Sequence, residues 1–168
     1  MNNTKKMVVL SLITAQAIVI HYIESFLPVL IPGIKLGLAN IMTMVTIALF
    51  GFGEALLVVI IRCVLGSLLA GNPMSILYSL TGGILSCIVI WTLYRYFGKY
   101  FSLIAISVAG ALFHNVGQLL VASVVFGTIG IFFTYIPILA SVSVITGFFI
   151  GLVSIYILQF LSKFLTNH

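Results

Sequence analysis

Apolar positions along this chain come in long runs, set apart by short punctuations of proline, glycine, asparagine and charge. The hydrocarbon core of a bilayer is about 30 Å thick and takes about 20 apolar residues of helix to cross. The pattern therefore predicts membrane helices over 7–27, 36–50, 54–70, 75–97, 102–126 and 138–165. Pro28 and Pro32 break the loop over 28–35, Gly51-Phe52-Gly53 makes a turn, and Gly71-Asn72-Pro73 ends the third helix. Residues 127–137 read as a connection with room for a helical turn of its own. The expected fold class is all-α: an integral membrane bundle of six transmembrane helices, one transmembrane domain over 1–168, with no soluble domain. The first apolar run is longer than the h-region of a signal peptide and reads as a retained helix.

Composition hardens that reading. Hydrophobic residues make up 62% of the chain and charged residues 5%, against roughly 25% charged in a soluble domain. A soluble fold of this length has no way to hide so much apolar surface. The few charges also set a direction. If the helices alternate, Lys5, Lys6, Arg95, Lys99 and Lys163 share one side, and only Lys35 lies in a loop on the other. Basic residues mark the cytoplasmic side, so both termini are expected there. The net charge of +5 then reflects topology and not nucleic-acid binding. Trp91, Tyr94, Tyr96 and Tyr100 read as an aromatic belt at the cytoplasmic interface. Glu54, at the cytoplasmic start of a helix, reads as a carboxylate complementing the helix dipole. Cys63 and Cys87 sit within apolar runs and read as small hydrophobes.

Polar side chains at membrane depth are costly, and each is a functional candidate by default. They are His21 and Glu24 on the first helix, Lys35 and Asn40 at the start of the second, Arg62 in the third, and His114, Asn115 and Gln118 in the fifth. The alternating directions place nearly all of them between the midplane and the outer face, where a pocket open to the exterior would be. His21 and Glu24 are three apart and share one helix face, and His114 and Gln118 are four apart and share another. The competing reading is structural: Glu24 paired with Lys35 or Arg62, and the amides holding helices together by hydrogen bonds of well under 1 kcal/mol each. Gly147/Gly151 and Ser11/Ala15 are small-residue pairs at four-residue spacing, which allow close helix approach. Gly82-Gly83 brings backbone close to a neighbour or a ligand.

Most enzyme chemistry is missing. The chain has two acidic residues and no aspartate, so the carboxylate clusters that hold Mg²⁺ on a diphosphate are not available. It has no phosphate-binding lysine loop, no CxxC and no HExxH. No catalytic residue, metal or cofactor is expected.

Several segments carry a family likeness: Pro32-Gly-Ile-Lys35-Leu-Gly-Leu-Ala-Asn40-Ile41, Arg62-Cys-Val-Leu-Gly66 through Gly71, Ser79-Leu-Thr-Gly82-Gly83-Ile-Leu-Ser86 and Gly110-Ala-Leu-Phe-His114-Asn115-Val-Gly117-Gln118. With Tyr135-Ile-Pro137 and Thr146-Gly147 they resemble a bacterial membrane family named both "heptaprenyl diphosphate synthase component I" and "Gx transporter", over about residues 7–160. That family is similar to the S-components of energy-coupling factor (ECF) transporters. The resemblance implies a six-helix subunit in the bacterial cell membrane that binds a vitamin or similar small molecule near the outer face, with a T-component and two ABC-type ATPases as partners. It also implies a docking role for Ser11 and Ala15, which stand where such subunits carry an AxxxA motif. The substrate-binding candidates are Glu24, Lys35, Asn40, Arg62, His114, Asn115 and Gln118. Lys35 and Arg62 outnumber Glu24, so a small anionic molecule is expected: a vitamin, a flavin or an isoprenoid-related compound. The synthase name implies the alternative, a non-catalytic membrane subunit associated with a prenyl diphosphate synthase.

Overall fold

The computed structural model describes residues 3–27 and 35–166, with side chains to residue 163. The proline-broken stretch 28–34 lies outside the described residues. Six helices follow in order: α1 (Asn3–Glu24), α2 (Asn40–Leu49), α3 (Phe52–Leu69), α4 (Met74–Phe97), α5 (Leu103–Val125) and α6 (Gly130–Thr166). No strand occurs among the described residues. Five helices are long and apolar enough to cross a membrane, and α2, with ten residues, is not. At 1.5 Å per residue α2 is about 15 Å long, half of a hydrocarbon core.

Two elements depart from the pattern of apolar runs. The second helix, expected from 36, begins at Asn40, because Gly37 stands at φ +82°, a left-handed conformation no α-helix accommodates. A Cβ on Gly37 would lie 2.8 Å from the His114 ring, so this glycine is fixed by close approach as well as by backbone angle. The sixth helix, expected from 138, begins at Gly130 and carries Pro137 inside it. Proline removes one helical hydrogen bond and normally breaks a helix. In a membrane bundle, packing against neighbours allows the helix to continue, and the expected connection shrinks to the turn at Gly127 (φ +65°).

Helices adjacent in the chain run in opposite directions, so the bundle has a terminal end, with the starts of α1, α3 and α5, and a far end. The α4–α5–α6 half is seamed by small residues. A Cβ on Gly117 would meet the Gly82 backbone at 2.8 Å, and one on Gly151 would meet the Ile104 backbone at 2.7 Å. A Cβ on Gly147 would run into the Val108 backbone, while the Ser107 hydroxyl donates to the Gly147 carbonyl. The Gly147/Gly151 pair thus serves α5–α6 contact. Ser11 and Ala15, by contrast, lie on an exposed face of α1. α1 and α6 do not pack on each other, and an apolar groove of about 480 Å³ opens between them, lined by Leu12, Gln16, Met42, Tyr156 and Phe160 among others.

In the terminal half of the interior Met44, Ile47, Val59, Cys63, Cys87, Ile90 and Ile106 pack together. Both cysteines are free and buried. At the terminal end Lys6 pairs with Glu54 at 2.5 Å and sits 5.9 Å from the Phe50 ring centroid. Glu54 lies in the first turn of α3 as expected, and its carboxylate also clasps α1 to α3.

Candidate functional site

The polar side chains singled out at membrane depth converge in the far half of the bundle. His21, Glu24, Lys35, Asn40, Arg62, His114, Asn115 and Gln118 are all buried, none more than 6% exposed. They come from α1, the segment before α2, α2 itself, α3 and α5. Glycines let them meet. A Cβ on Gly66 would lie 2.5 Å from the His21 ring, and one on Gly82 would lie 3.0 Å from both His114 Nδ1 and Gln118 Cγ.

Residues 35–39 form the centre. Glu24, the last residue of α1, accepts hydrogen bonds at one carboxylate oxygen from the backbone N–H groups of Gly37 and of Leu38, the latter at 3.2 Å. The Lys35 backbone N–H donates to Gln118 Oε1 at 3.2 Å. The Lys35 ammonium donates to His21 Nε2 and to Ser25 Oγ, both at 2.8 Å. An ammonium can only donate, so His21 Nε2 is an acceptor here; it also lies 3.2 Å from Ser67 Oγ. Lys35 lies in the connection between two spans, and burial lowers its ammonium to about 8, with the Glu24 carboxylate working in the opposite direction.

Arg62 Nη2 donates to Asn40 Oδ1 at 2.7 Å. The Gln118 amide nitrogen donates to His114 Nε2 at 3.1 Å, which leaves the ring proton on His114 Nδ1. Among the described residues two donors then have no partner, Asn40 Nδ2 and Arg62 Nε, while His114 Nδ1 faces the Gly82 backbone. Two cationic side chains face one carboxylate. The cluster has donors and positive charge in excess, and what would complete it is an acceptor-rich, anionic group.

Asn115 is the exception among the candidates. Its amide donates to Ser143 Oγ at 2.8 Å and to the Leu139 carbonyl at 3.4 Å, which ties α5 to α6. Glu24 and Lys35 were open as a direct ion pair; the carboxylate instead holds backbone. The pattern of polar residues gave no prominence to Ser25, Ser67 or the N–H groups of Gly37 and Leu38. Serines are ordinary in membrane helices, and backbone donors carry no side-chain signal; the glycine within Lys35-Leu-Gly-Leu-Ala-Asn40 was the available clue.

Residues 13–157 match the model of the family described as heptaprenyl diphosphate synthase component I. No curated protein and no solved structure matches the chain significantly.

Proposed function

The chain belongs to the heptaprenyl diphosphate synthase component I family, and from that premise we propose that it is a substrate-binding membrane subunit, similar to an ECF S-component, that holds a small anionic molecule in its far-half polar cluster. The observation that carries this reading is the donor excess: Asn40 Nδ2 and Arg62 Nε, unpartnered among the described residues, beside Lys35, all buried. Burying unpaired donors and charge costs several kcal/mol unless something repays it, and a bound anion is the simplest compensation. In this reading Lys35 and Arg62 supply positive charge, and Asn40, His114 and Gln118 supply hydrogen bonds. Glu24 orders the backbone around them, and Asn115 supports α5 against α6. A vitamin, a flavin or an isoprenoid-related anion fits that chemistry. The subunit sits in the bacterial cell membrane with both termini cytoplasmic, so the buried cluster lies in the outer half of the bundle. The exposed Ser11/Ala15 face of α1 meets a T-component, and ABC-type ATPases drive the cycle. The chain itself catalyses nothing.

The family's description supports a second reading, a non-catalytic membrane subunit working with another component of a prenyl diphosphate synthase. A mild-detergent pull-down of the tagged chain from its native membrane separates the two. Recovery of a T-component and ATPases, with a small anion that Lys35→Ala and Arg62→Ala variants fail to retain, is the expected result. Recovery of a soluble prenyl synthase alone would replace the first reading with the second.

A further inference from the structure

The Glu24 carboxylate has an unusual position. It does not pair directly with Lys35 or Arg62, although both lie within electrostatic reach. It sits instead against two successive backbone N–H groups, those of Gly37 and Leu38. Successive N–H groups around a left-handed residue form a concave nest that favours an anion, and Gly37 is that residue, at φ +82°. The nest immediately precedes α2, whose N-terminal dipole adds to the attraction.

A second observation comes from Asn40. Its side chain is 1% exposed and its Nδ2 has no partner among the described residues. That nitrogen lies on the open side of Gly37, where a Cβ would be 3.1 Å from it. It makes no hydrogen bond to the Glu24 oxygen now on Gly37 and Leu38, and a ligand's second oxygen reaching past Gly37 would meet it. Only glycine keeps the approach open.

We propose that the N–H groups of Gly37 and Leu38, with Asn40 Nδ2, form an oxyanion seat, and that Glu24 is a resident stand-in which a ligand's carboxylate or phosphate displaces. This rests on reading the cluster as an anion site and adds which atoms hold the anion. It also changes the part played by Glu24, which competes with the ligand and closes the site when no ligand is present. A like-charged competitor in the seat makes an incoming anion bind less tightly, and it keeps the buried cations compensated meanwhile.

The test uses the full chain in lipid nanodiscs, with formate and inorganic phosphate as probes. Glu24→Ala is expected to melt at a lower temperature than wild type and to regain stability in formate, whose single carboxylate replaces the lost one. Chloride at equal ionic strength does not restore it. Should Glu24→Ala fail to fold, Glu24→Gln keeps the shape and removes the charge. It is expected to bind phosphate roughly tenfold more tightly than wild type, about what relief of one charged competitor is worth, and Glu24→Gln/Asn40→Leu loses that gain. Rescue by formate alone marks a carboxylate seat, and rescue by phosphate as well marks a general oxyanion seat. A folded Glu24→Ala that neither probe restores, or a Glu24→Gln that binds phosphate no better than wild type, overturns the seat. The transporter reading fails separately, on the pull-down, because these probes report on the chain alone.

Discussion

The α4–α5–α6 half and the α1–α2–α3 half of this bundle are held together by different means. In the first, backbone meets backbone: Gly117 on Gly82, Gly147 on Val108, Gly151 on Ile104. In the second, the far end is joined by side-chain bonds through residues 35–40, and α1 leaves an open groove toward α6. Close backbone packing has one solution and tolerates little displacement. Hydrogen bonds among side chains can be exchanged for others of similar strength. Under the proposed function the first half would serve as a fixed wall and the second as the part that rearranges around a ligand.

The contrast can be broken most severely at the seam. Gly147→Leu pushes a branched side chain into the Val108 backbone and should cost about 3 kcal/mol or more, read as a collapse of the melting temperature in detergent. A normal melt would show that the seam is looser than its geometry. Gly37→Ala comes next. It strains a positive φ and crowds His114, at a cost of about 1–3 kcal/mol, and the expected signature is loss of anion binding in a chain that still folds. Retained binding would take Gly37 out of the site. A pH titration is milder. Lys35 loses its charge as pH rises through about 8, so affinity for an anion should fall above that pH, and Lys35→Arg should keep it flat. The smallest change in stability belongs to Ser11→Leu with Ala15→Leu, on an exposed face of α1. Melting should stay within about 0.5 kcal/mol of wild type while co-purified membrane partners disappear. Unchanged partner recovery would free that face of the docking role.

Most of the helices were legible in the sequence, because a membrane helix is a sustained apolar run and the runs here are long. The two misplaced boundaries have local causes. At α2 the run of Leu36, Leu38 and Ile41 looked helical, and one glycine at positive φ set the start four residues later. At α6 proline looked like a break, yet the helix passes through Pro137. The candidate site was legible to a similar depth. Charge in an apolar run is conspicuous, so His21, Glu24, Lys35, Asn40, Arg62, His114 and Gln118 stood out. That Asn115 faces α6 while its neighbour His114 faces the cluster follows from helix rotation, which adjacent letters do not reveal. That Glu24 holds backbone and not a cation depends on a turn of the chain 13 residues further on.

The shortness of α2 has an electrical consequence. Its last turn is level with Lys6 and Glu54 at the charged end, and its first residue, Asn40, stands about 15 Å higher, near the middle of a hydrocarbon core about 30 Å thick. An ion that settles beside Asn40 from the far side therefore traverses about half of the membrane field. Each elementary charge crossing the whole field is worth about 2.3 kcal/mol per 100 mV, so affinity for a monovalent anion there would change by roughly sevenfold per 100 mV. Under the proposed function, a cell that polarises its membrane would, with no further machinery, set how full this subunit is.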